Sequence, residues 1–304
     1  MEVIRTPDDR FANLPGYPFE AHYAEIPSGT GDTLRVHYLD EGPAEAAPIL
    51  LLHGEPSWSY LYRHMISPLV DAGHRVVVPD LVGFGRSDKP KQRADYTYAR
   101  HIDWMSALVF DTLDLHDITF FGQDWGGLIG LRLLTAQPDR YARVIIGNTG
   151  LPTGHFPLGD AFLAWQKFSQ ETPDLPIGNI VNGGCASDLA PAVIAAYDAP
   201  FPDDSYKAGA RVFPTLVPTS PDDPESAANT QAWNVLKSFD KPFLTCFSDQ
   251  DPITNGGETM FQEAVPGAAG QPHTVIKGAG HFLQEDSGVE IAGVIARFIA
   301  ATQN

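Results

Sequence analysis

Cysteine is scarce in this chain, with two residues among 304. Cys185 and Cys246 are far apart and lack metal-ligand spacing, so we interpret both as free, buried thiols. The chain also lacks any window near the roughly 20 apolar residues that a membrane span needs. The segment from Met1 to Phe11 has no apolar core of a secretory signal. These absences predict a soluble cytoplasmic protein that does not engage a membrane.

Positive charge is scarce as well. Lys and Arg number 20 against 38 Asp and Glu, which gives a net charge of −18. Such a balance argues against a nucleic-acid partner, because proteins that bind phosphate backbones carry concentrated basic patches. The acidity can serve solubility alone, and if it bears on function it favours a neutral or cationic substrate. What the chain has is apolar content, 43% of residues, enough for one large core and an accessory module.

Alternation of apolar runs with amphipathic stretches dominates the first 150 residues and is typical of a parallel α/β sheet. Helices are predicted over Tyr98–Leu113 and Leu128–Ala136, the second ending before Pro138. The predicted strands are Leu34–Tyr38, Ile49–Leu52, His74–Pro79, Ile118–Phe121 and Arg143–Ile146. We expect a mostly parallel, doubly wound sheet.

The composition changes from about Gly150 to Pro221, where prolines and glycines are frequent and strand-like and helix-like segments no longer alternate. We interpret this stretch as an inserted helical cap domain. The predicted organisation is a core in two parts, 1–149 and 222–304, interrupted by a cap at 150–221. The remaining predicted elements are strands at Pro242–Phe247 and His273–Lys277 and a final helix at Val289–Ala300.

The segment from Phe121 to Gly127 has the spacing of a nucleophile elbow, with Asp124 where serine normally stands. Gly122 and Gly126, two residues before and two after, permit a sharp turn from strand to helix. That turn presents the central side chain at the carboxyl edge of a parallel sheet. A carboxylate there is a nucleophile at neutral pH without help from a base. The motif therefore favours substitution at a saturated carbon over ordinary ester hydrolysis.

His281 follows the last predicted strand in a glycine-rich loop, which suits the order nucleophile, acid, histidine of α/β-hydrolases. The acid is expected on the loop after the preceding strand, where Asp249 and Asp251 compete. We favour Asp251, because the loop has more room there to leave the sheet edge. Its role is to hold the imidazole tautomer and stabilise the imidazolium ion. Asp249 instead suits a loop aspartate that caps the next helix.

The loop after an early strand, from His53 to Trp58, should face the elbow. Gly54 permits a backbone turn that aims the N–H of Glu55 at the elbow, and a second N–H comes from Trp125. Two such donors can hold an oxyanion while an ester is hydrolysed. His53 is interpreted as a residue that shapes this loop.

Together these motifs give the chain a family resemblance. It resembles the haloalkane dehalogenases of the α/β-hydrolase superfamily, in the subfamily whose acid follows the late strand. The resemblance covers nearly the whole chain and implies an α/β-hydrolase fold that converts haloalkanes to primary alcohol, halide and a proton. The segments that carry it are Arg5 to Asp8, His53 to Pro56, Gly122 to Gly127, Tyr197 to Pro202, Asp251, and Gly280 to Phe282.

In that family two side-chain N–H donors hold the leaving halide, one after the nucleophile and one from the cap. Trp125 matches the first and Trp165 resembles the second. An indole donates without accepting and brings an apolar wall, which suits a weakly hydrated anion. The implied reaction has two steps: Asp124 displaces the halide to form an alkyl ester, and His281, supported by Asp251, activates water to hydrolyse it. Neither a metal nor an organic cofactor is required.

The resemblance also implies an apolar substrate pocket, as a small neutral halogenated substrate requires. Each pocket residue could equally be a packing residue, as we interpret Trp58, Trp104 and Trp233. The expected partners are the haloalkane and the halide ion, and nothing in the sequence demands more than a monomer. The pocket residues are Phe162, Phe213, Pro214, Val217 and Ile253.

Three other functions are compatible with parts of this pattern. An epoxide hydrolase uses the same triad with cap tyrosines, for which Tyr197 and Tyr206 are candidates, but it typically has tryptophan and histidine where Glu55 and Gln123 stand. A fluoroacetate-type dehalogenase needs an arginine directly after the nucleophile, where this chain has Trp125. A non-catalytic receptor on the same scaffold would release no halide from 1,2-dibromoethane.

Overall fold

The computed structural model describes residues 1–303, and a sheet of eight strands organises them. In spatial order the sheet runs β10-β9-β8-β7-β4-β5-β3-β2, while β1 and β6 pair separately. Within the eight-stranded sheet β3 is antiparallel to both neighbours and the other pairs are parallel, while β1 and β6 are antiparallel to each other. The strands are β1 (Val3–Ile4), β2 (His22–Pro27), β3 (Thr33–Glu41), β4 (Pro48–Leu52), β5 (Arg75–Pro79), β6 (Lys89–Pro90), β7 (Ile118–Gln123), β8 (Tyr141–Gly147), β9 (Phe243–Ser248) and β10 (Thr274–Ile276).

Helices connect and flank these strands. None of those formed by residues 1–303 has both the length and the apolar character needed to cross a bilayer. The helices are α1 (Arg63–Asp71), α2 (Tyr98–Ser106), α3 (Trp125–Ala136), α4 (Asp160–Glu171), α5 (Ile177–Gly184), α6 (Pro191–Asp198), α7 (Ala208–Leu216), α8 (Ser226–Leu236), α9 (Glu258–Ala264) and α10 (Leu283–Thr302).

The predicted α/β architecture is confirmed, and its central strands show why. Every residue of β4 and β7 is buried, as expected for strands covered on both faces of a parallel sheet. Helices α4 to α7 follow one another between β8 and α8, in the region predicted as the cap. The domain limits at 149/150 and 221/222 stay predictions, and the last residue of the second core part, Asn304, lies outside the described residues.

One strand of the sheet is absent from the sequence prediction. In β2 burial alternates, with Ala24 and Ile26 inward and Tyr23 and Glu25 exposed. Alternation over so few residues is a weaker signal than the continuous apolar runs of the parallel strands. The antiparallel edge formed by β2 and β3 therefore became visible only in the tertiary structure.

The helix predicted over Tyr98–Leu113 is not uniform. α2 ends at Ser106, and a wider π-type turn follows over Ala107–Thr112. In that turn the N–H of Leu113 donates to the carbonyl oxygen of Leu108 over 2.9 Å, a step of five residues instead of four. The apolar spacing tolerates both steps, so periodicity did not separate them.

Two other helices begin earlier than predicted. α3 begins at Trp125 instead of Leu128, directly after the elbow. α10 begins at Leu283 instead of Val289, and Ser287 has non-helical angles of φ −145° and ψ 31°. That break interrupts the periodicity, so the sequence pattern found only the second piece.

Candidate active site

The elbow after β7 holds Asp124 at the carboxyl edge of the sheet. Asp124 has φ 51° and ψ −128°, a conformation that costs a non-glycine residue about 1–3 kcal/mol. Hydrogen bonds hold it there: its N–H donates to the Asn148 carbonyl over 2.9 Å, and its carbonyl accepts from the Thr149 hydroxyl over 2.7 Å. Because α3 begins at the next residue, the chain reverses within a single residue.

Two glycines let neighbouring segments approach the elbow closely. A Cβ on Gly126 would overlap the carbonyl oxygen of Leu52 at the end of β4. A Cβ on Gly54 would overlap the side chain of Asp124. A larger residue at either position would therefore displace the loop after β4 from the elbow.

His281 lies between two carboxylates. Its Nδ1 is 3.0 Å from Asp251 Oδ2, and its Nε2 is 3.6 Å from Asp124 Oδ2. Burial acts to raise the pKa of Asp251, but the charge of His281 and the hydrogen bonds from Ile253 and Thr254 outweigh it and lower that pKa to about 2. Burial also acts to lower the pKa of His281, and the two carboxylates reverse this into a net rise.

Asp249 lies in a different position from Asp251 and makes different contacts. Its Oδ1 accepts the N–H of Gly278 over 2.8 Å, and its Oδ2 is 3.6 Å from Lys277 Nζ. It therefore ties the loop after β9 to the loop after β10. Since Gly257 precedes α9 without a side-chain cap, the helix-capping interpretation of Asp249 is wrong.

The loop after β4 approaches Asp124 from the other side. The backbone N–H of Glu55 donates to Asp124 Oδ1 over 2.8 Å. Among residues 1–303 the N–H of Trp125 forms no hydrogen bond with that carboxylate, so its part in an oxyanion hole stays a prediction. His53 shapes the loop as expected: its Nε2 accepts the N–H of Leu81, and its Nδ1–H donates to the carbonyl of Gly54.

The five tryptophans differ in whether the indole N–H donates to a backbone carbonyl. Trp125 and Trp165 line the same cavity as Asp124. Across residues 1–303 the Trp125 indole N–H has no protein acceptor. Burial raises the pKa of Glu55, and the Trp165 indole opposes that rise. The other three donate to backbone carbonyls, Trp58 to Ala196, Trp104 to Ser28 and Trp233 to Leu151. Trp233 nevertheless lines the cavity too, so its interpretation as a packing residue alone is wrong.

A cavity of about 1150 Å³ adjoins the Asp124 carboxylate. Its wall is largely apolar, as in sites for small uncharged ligands. Part of this wall is Cys185, which is half-buried, so the prediction of a buried thiol is wrong there and right for Cys246. The apolar lining includes the predicted Phe162, Pro214, Val217 and Ile253, together with Leu128, Leu151, Phe156, Leu158, Met260 and Phe261.

Phe213 departs from the predicted pocket. It is fully buried, is absent from the cavity wall, and packs its ring 4.7 Å from that of Trp125. Its ring also lies 4.5 Å from that of His101 and 4.8 Å from that of Phe84. Phe213 thus supports the indole from the protein interior because α7 directs it into the aromatic core.

Sequence reasoning missed Asn148, a buried residue directly after β8. Its Nδ2 donates to the carbonyls of Gly280 and His281, each over 3.0 Å, and its Oδ1 accepts the N–H of Ser248. It therefore joins the ends of three strands to the histidine loop. Its position after a buried strand is a signal that could have identified it.

No group of three or more metal-binding side chains occurs among residues 1–303.

Comparison with known proteins agrees with this geometry. A family model described as the alpha/beta hydrolase fold matches residues 47–287. A haloalkane dehalogenase from Psychrobacter cryohalolentis is 58% identical over 299 residues, covering 98% of each chain. Another from Mycolicibacterium paratuberculosis is 54% identical over 292 residues, covering 96% of each. The chain belongs to the haloalkane dehalogenases. It is a hydrolase that acts on carbon–halide bonds.

A solved structure supports the same assignment. The haloalkane dehalogenase DpaA from Paraglaciecola agarilytica, described as tetrameric, matches with a TM-score of 0.90 and 36% identity, covering 97% of each chain. The haloalkane substrate and halide product predicted from the motifs fit the activity of this family.

The two loop aspartates of this dehalogenase allow a matched test. We expect Asp251→Asn to lower kcat roughly 10²–10⁴-fold, because an amide beside His281 Nδ1 no longer stabilises the imidazolium ion. Asp249→Asn should stay within about twofold, since an asparagine oxygen can still accept the N–H of Gly278. Steady-state halide release measures both variants. Equal losses would contradict the assignment of Asp251.

Proposed function

We propose that the enzyme hydrolyses haloalkanes to primary alcohols through a covalent alkyl ester on Asp124. The observation that carries this proposal is that Asp124, His281, Trp125 and Trp165 all line one cavity. Asp251 completes the set from the loop after β9. The cavity wall supplies an apolar environment in which a neutral haloalkane is favoured and fixed dipoles act strongly.

In the first step an oxygen of Asp124 attacks the carbon that carries the halogen, from the side opposite the halogen. A carbon–oxygen bond forms as the carbon–halogen bond breaks, and the halide leaves with the electron pair. The indole N–H groups of Trp125 and Trp165 point their positive ends at this developing anion. No acid is needed, because halide is a stable leaving group.

Ester formation prepares His281 for the second step. In the resting enzyme two carboxylates raise the pKa of His281, which keeps the ring protonated. Alkylation removes the charge of Asp124, only 3.6 Å from Nε2, so the pKa of His281 falls and the ring can become a base. The triad therefore switches its protonation state when it is needed.

The ester is then hydrolysed by water. His281 takes a proton from the water as its oxygen attacks the ester carbonyl, and the N–H of Glu55 stabilises the resulting oxyanion. Collapse of the intermediate breaks the bond to the alcohol and restores the Asp124 carboxylate. Of the two protons of water, one ends on the alcohol and the other stays on His281, where it replaces the proton that the ring released to solvent after alkylation.

Epoxide hydrolysis is less well supported by the cap. Tyr197 is fully buried, donates its hydroxyl to Glu285, and is not part of the cavity wall. Tyr206, the other candidate, does not line the cavity either. An opening epoxide would thus lack the expected proton donor for its alkoxide.

The oligomeric state of this chain can be compared with that of the relative DpaA. Its solved structure is tetrameric, whereas nothing in our sequence demanded more than a monomer. We retain the monomer as the proposal for this chain. Sedimentation velocity over a range of concentrations should give a single species of monomer mass, and a stable larger species would contradict it.

The test of the halide site is the loss of its donors. We expect Trp125→Phe and Trp165→Phe each to lower halide release from 1,2-dibromoethane about 10²-fold or more, because each removes an N–H from the developing anion. Trp104→Phe is the matched control, since its indole donates to Ser28 instead. Full activity in both cavity variants would contradict the proposal.

A further inference from the structure

The carboxylate of Asp286, in the first turn of α10, binds two loops at once. One is the histidine loop (residues 277–282), where Asp286 Oδ2 accepts the N–H of Gly280 over 2.9 Å. The other is the cap loop (residues 184–190), where it accepts the N–H groups of Ala186 over 2.9 Å and of Ser187 over 3.0 Å. The Ser187 hydroxyl adds a fourth hydrogen bond, over 2.5 Å. A single side chain therefore links the region predicted as the cap to the residue directly before His281.

The two loops that Asp286 joins also pack directly against each other. The N–H of Phe282 donates to the carbonyl of Gly184 over 3.3 Å. A Cβ on Gly280 would overlap that same carbonyl oxygen, and a Cβ on Gly184 would overlap the Phe282 ring. Both chain neighbours of His281 are therefore in contact with the cap loop, so the position of that loop constrains the backbone of the histidine.

The preceding residue, Glu285, ties the same turn of α10 to two further helices. Its carboxylate accepts from Arg63 Nη2 of α1 over 2.7 Å and from the hydroxyl of Tyr197 of α6. Ser287 then interrupts the helix. Because the Arg63–Glu285 pair is buried, removal of Glu285 would destabilise the fold itself. Asp286 is only half-buried, so it is the contact that can be removed selectively.

The groups that form the ester are held by other contacts. Asp124 is fixed by Asn148, Thr149 and the N–H of Glu55. Across residues 1–303 Asp286 makes no hydrogen bond with any of these four residues. Only the second step needs His281 within reach of a water molecule at the ester, so the two steps should differ in their dependence on Asp286.

We infer that Asp286 is a positioning residue for ester hydrolysis, which holds the histidine loop against the cap loop so that His281 faces the ester on Asp124. This inference rests on the proposed function and deepens it. Hydrogen bonds to a charged acceptor are stronger than those between neutral groups, which suits a contact that must fix a loop. A displacement of about 1 Å in a reacting group can lower a rate about 10²-fold.

A single-turnover reaction of the full chain with 1-bromobutane, quenched at successive times, tests this inference. Bromide release reports alkylation, and the alkyl ester seen by intact-protein mass spectrometry reports hydrolysis as it decays. We expect Asp286→Ala to release bromide within about threefold of the parent rate and to lose the ester about tenfold more slowly or worse. Asp286→Asn keeps one acceptor oxygen and should give an intermediate decay rate.

A matched control and a milder variant accompany this series. The exposed Glu290→Ala on α10 removes a carboxylate that makes no such contact, and both of its rates should stay within about twofold of the parent. The exposed Ser187→Ala removes only the hydroxyl bond to Asp286 and should slow ester decay about two- to threefold. Ser187→Ala decides the question if Asp286→Ala does not fold.

A merely structural role for Asp286 predicts a different result. Thermal stability would then fall, while both rates per functional site, counted from the total bromide of one turnover, would match the parent. That result, or an equal slowing of both steps, would overturn the inference. Failure of the proposed function is recognised separately, because neither the parent nor His281→Gln would then carry an alkyl ester at any time.

Discussion

Replacement of His281 by glutamine is expected to stop the enzyme after one halide per active site. The variant retains Asp124 and both indoles, so alkylation proceeds, but no base remains to activate water for the second step. Multiple-turnover release should fall at least ~10³-fold. Intact-protein mass spectrometry after incubation with a bromoalkane should show one alkyl group, and peptide mapping should place it on Asp124.

The burst phase reports on alkylation of Asp124, and the steady state reports on hydrolysis of the ester. A stoichiometric burst with no further release supports the division of labour between Asp124 and His281. Continued multiple turnover would contradict the role of His281 as the hydrolytic base. Asp249→Asn is a suitable control, because this residue binds Gly278 and does not contact His281.

Asp124→Ala is expected to abolish dehalogenation altogether. Without the carboxylate no carbon–oxygen bond can form, so halide release should fall at least ~10⁴-fold, with no burst and no adduct. Single-turnover measurements with 1,2-dibromoethane distinguish this result from that of His281→Gln. The two variants should therefore fail at different steps of the same reaction.

The folded state of Asp124→Ala can be checked through its ligand. The indoles of Trp125 and Trp165 remain, and a negative charge near the halide has been removed, so bromide should bind at least as tightly as in the parent. Retained bromide binding with no chemistry would show that the carboxylate itself is the reacting group. An alkyl adduct elsewhere on this variant would refute the assignment.

The fold could be predicted where burial leaves a strong pattern. The apolar runs of β4 and β7 exist because both faces of those strands are covered. The sequence did not predict β2, in which buried and exposed residues alternate. It also did not predict the first part of α10, because the helix is interrupted at Ser287. Local pattern reports burial on one element at a time, so it does not reveal which strands pair at an edge.

The candidate site was predictable where a motif has a fixed local geometry. Asp124 between small residues and His281 after the last strand could be named because an elbow and a strand-end loop each need few residues. The preference for Asp251 over Asp249 rested on loop length, and the structure places Asp251 Oδ2 3.0 Å from His281 Nδ1. Asn148 was missed because its contacts come from three separate strands.

The sequence by itself determined which reactive side chains this dehalogenase carries and in what order: an aspartate at an elbow, a tryptophan on either side of the cap boundary, a loop aspartate and a late histidine. Only the tertiary structure decided which side chains meet. It removed Phe213 from the cavity wall, engaged Tyr197 with Glu285, and bound the Glu55 N–H to the Asp124 carboxylate. The physical reason is that bonding partners distant in sequence are chosen by the packing of whole elements, which no local pattern encodes.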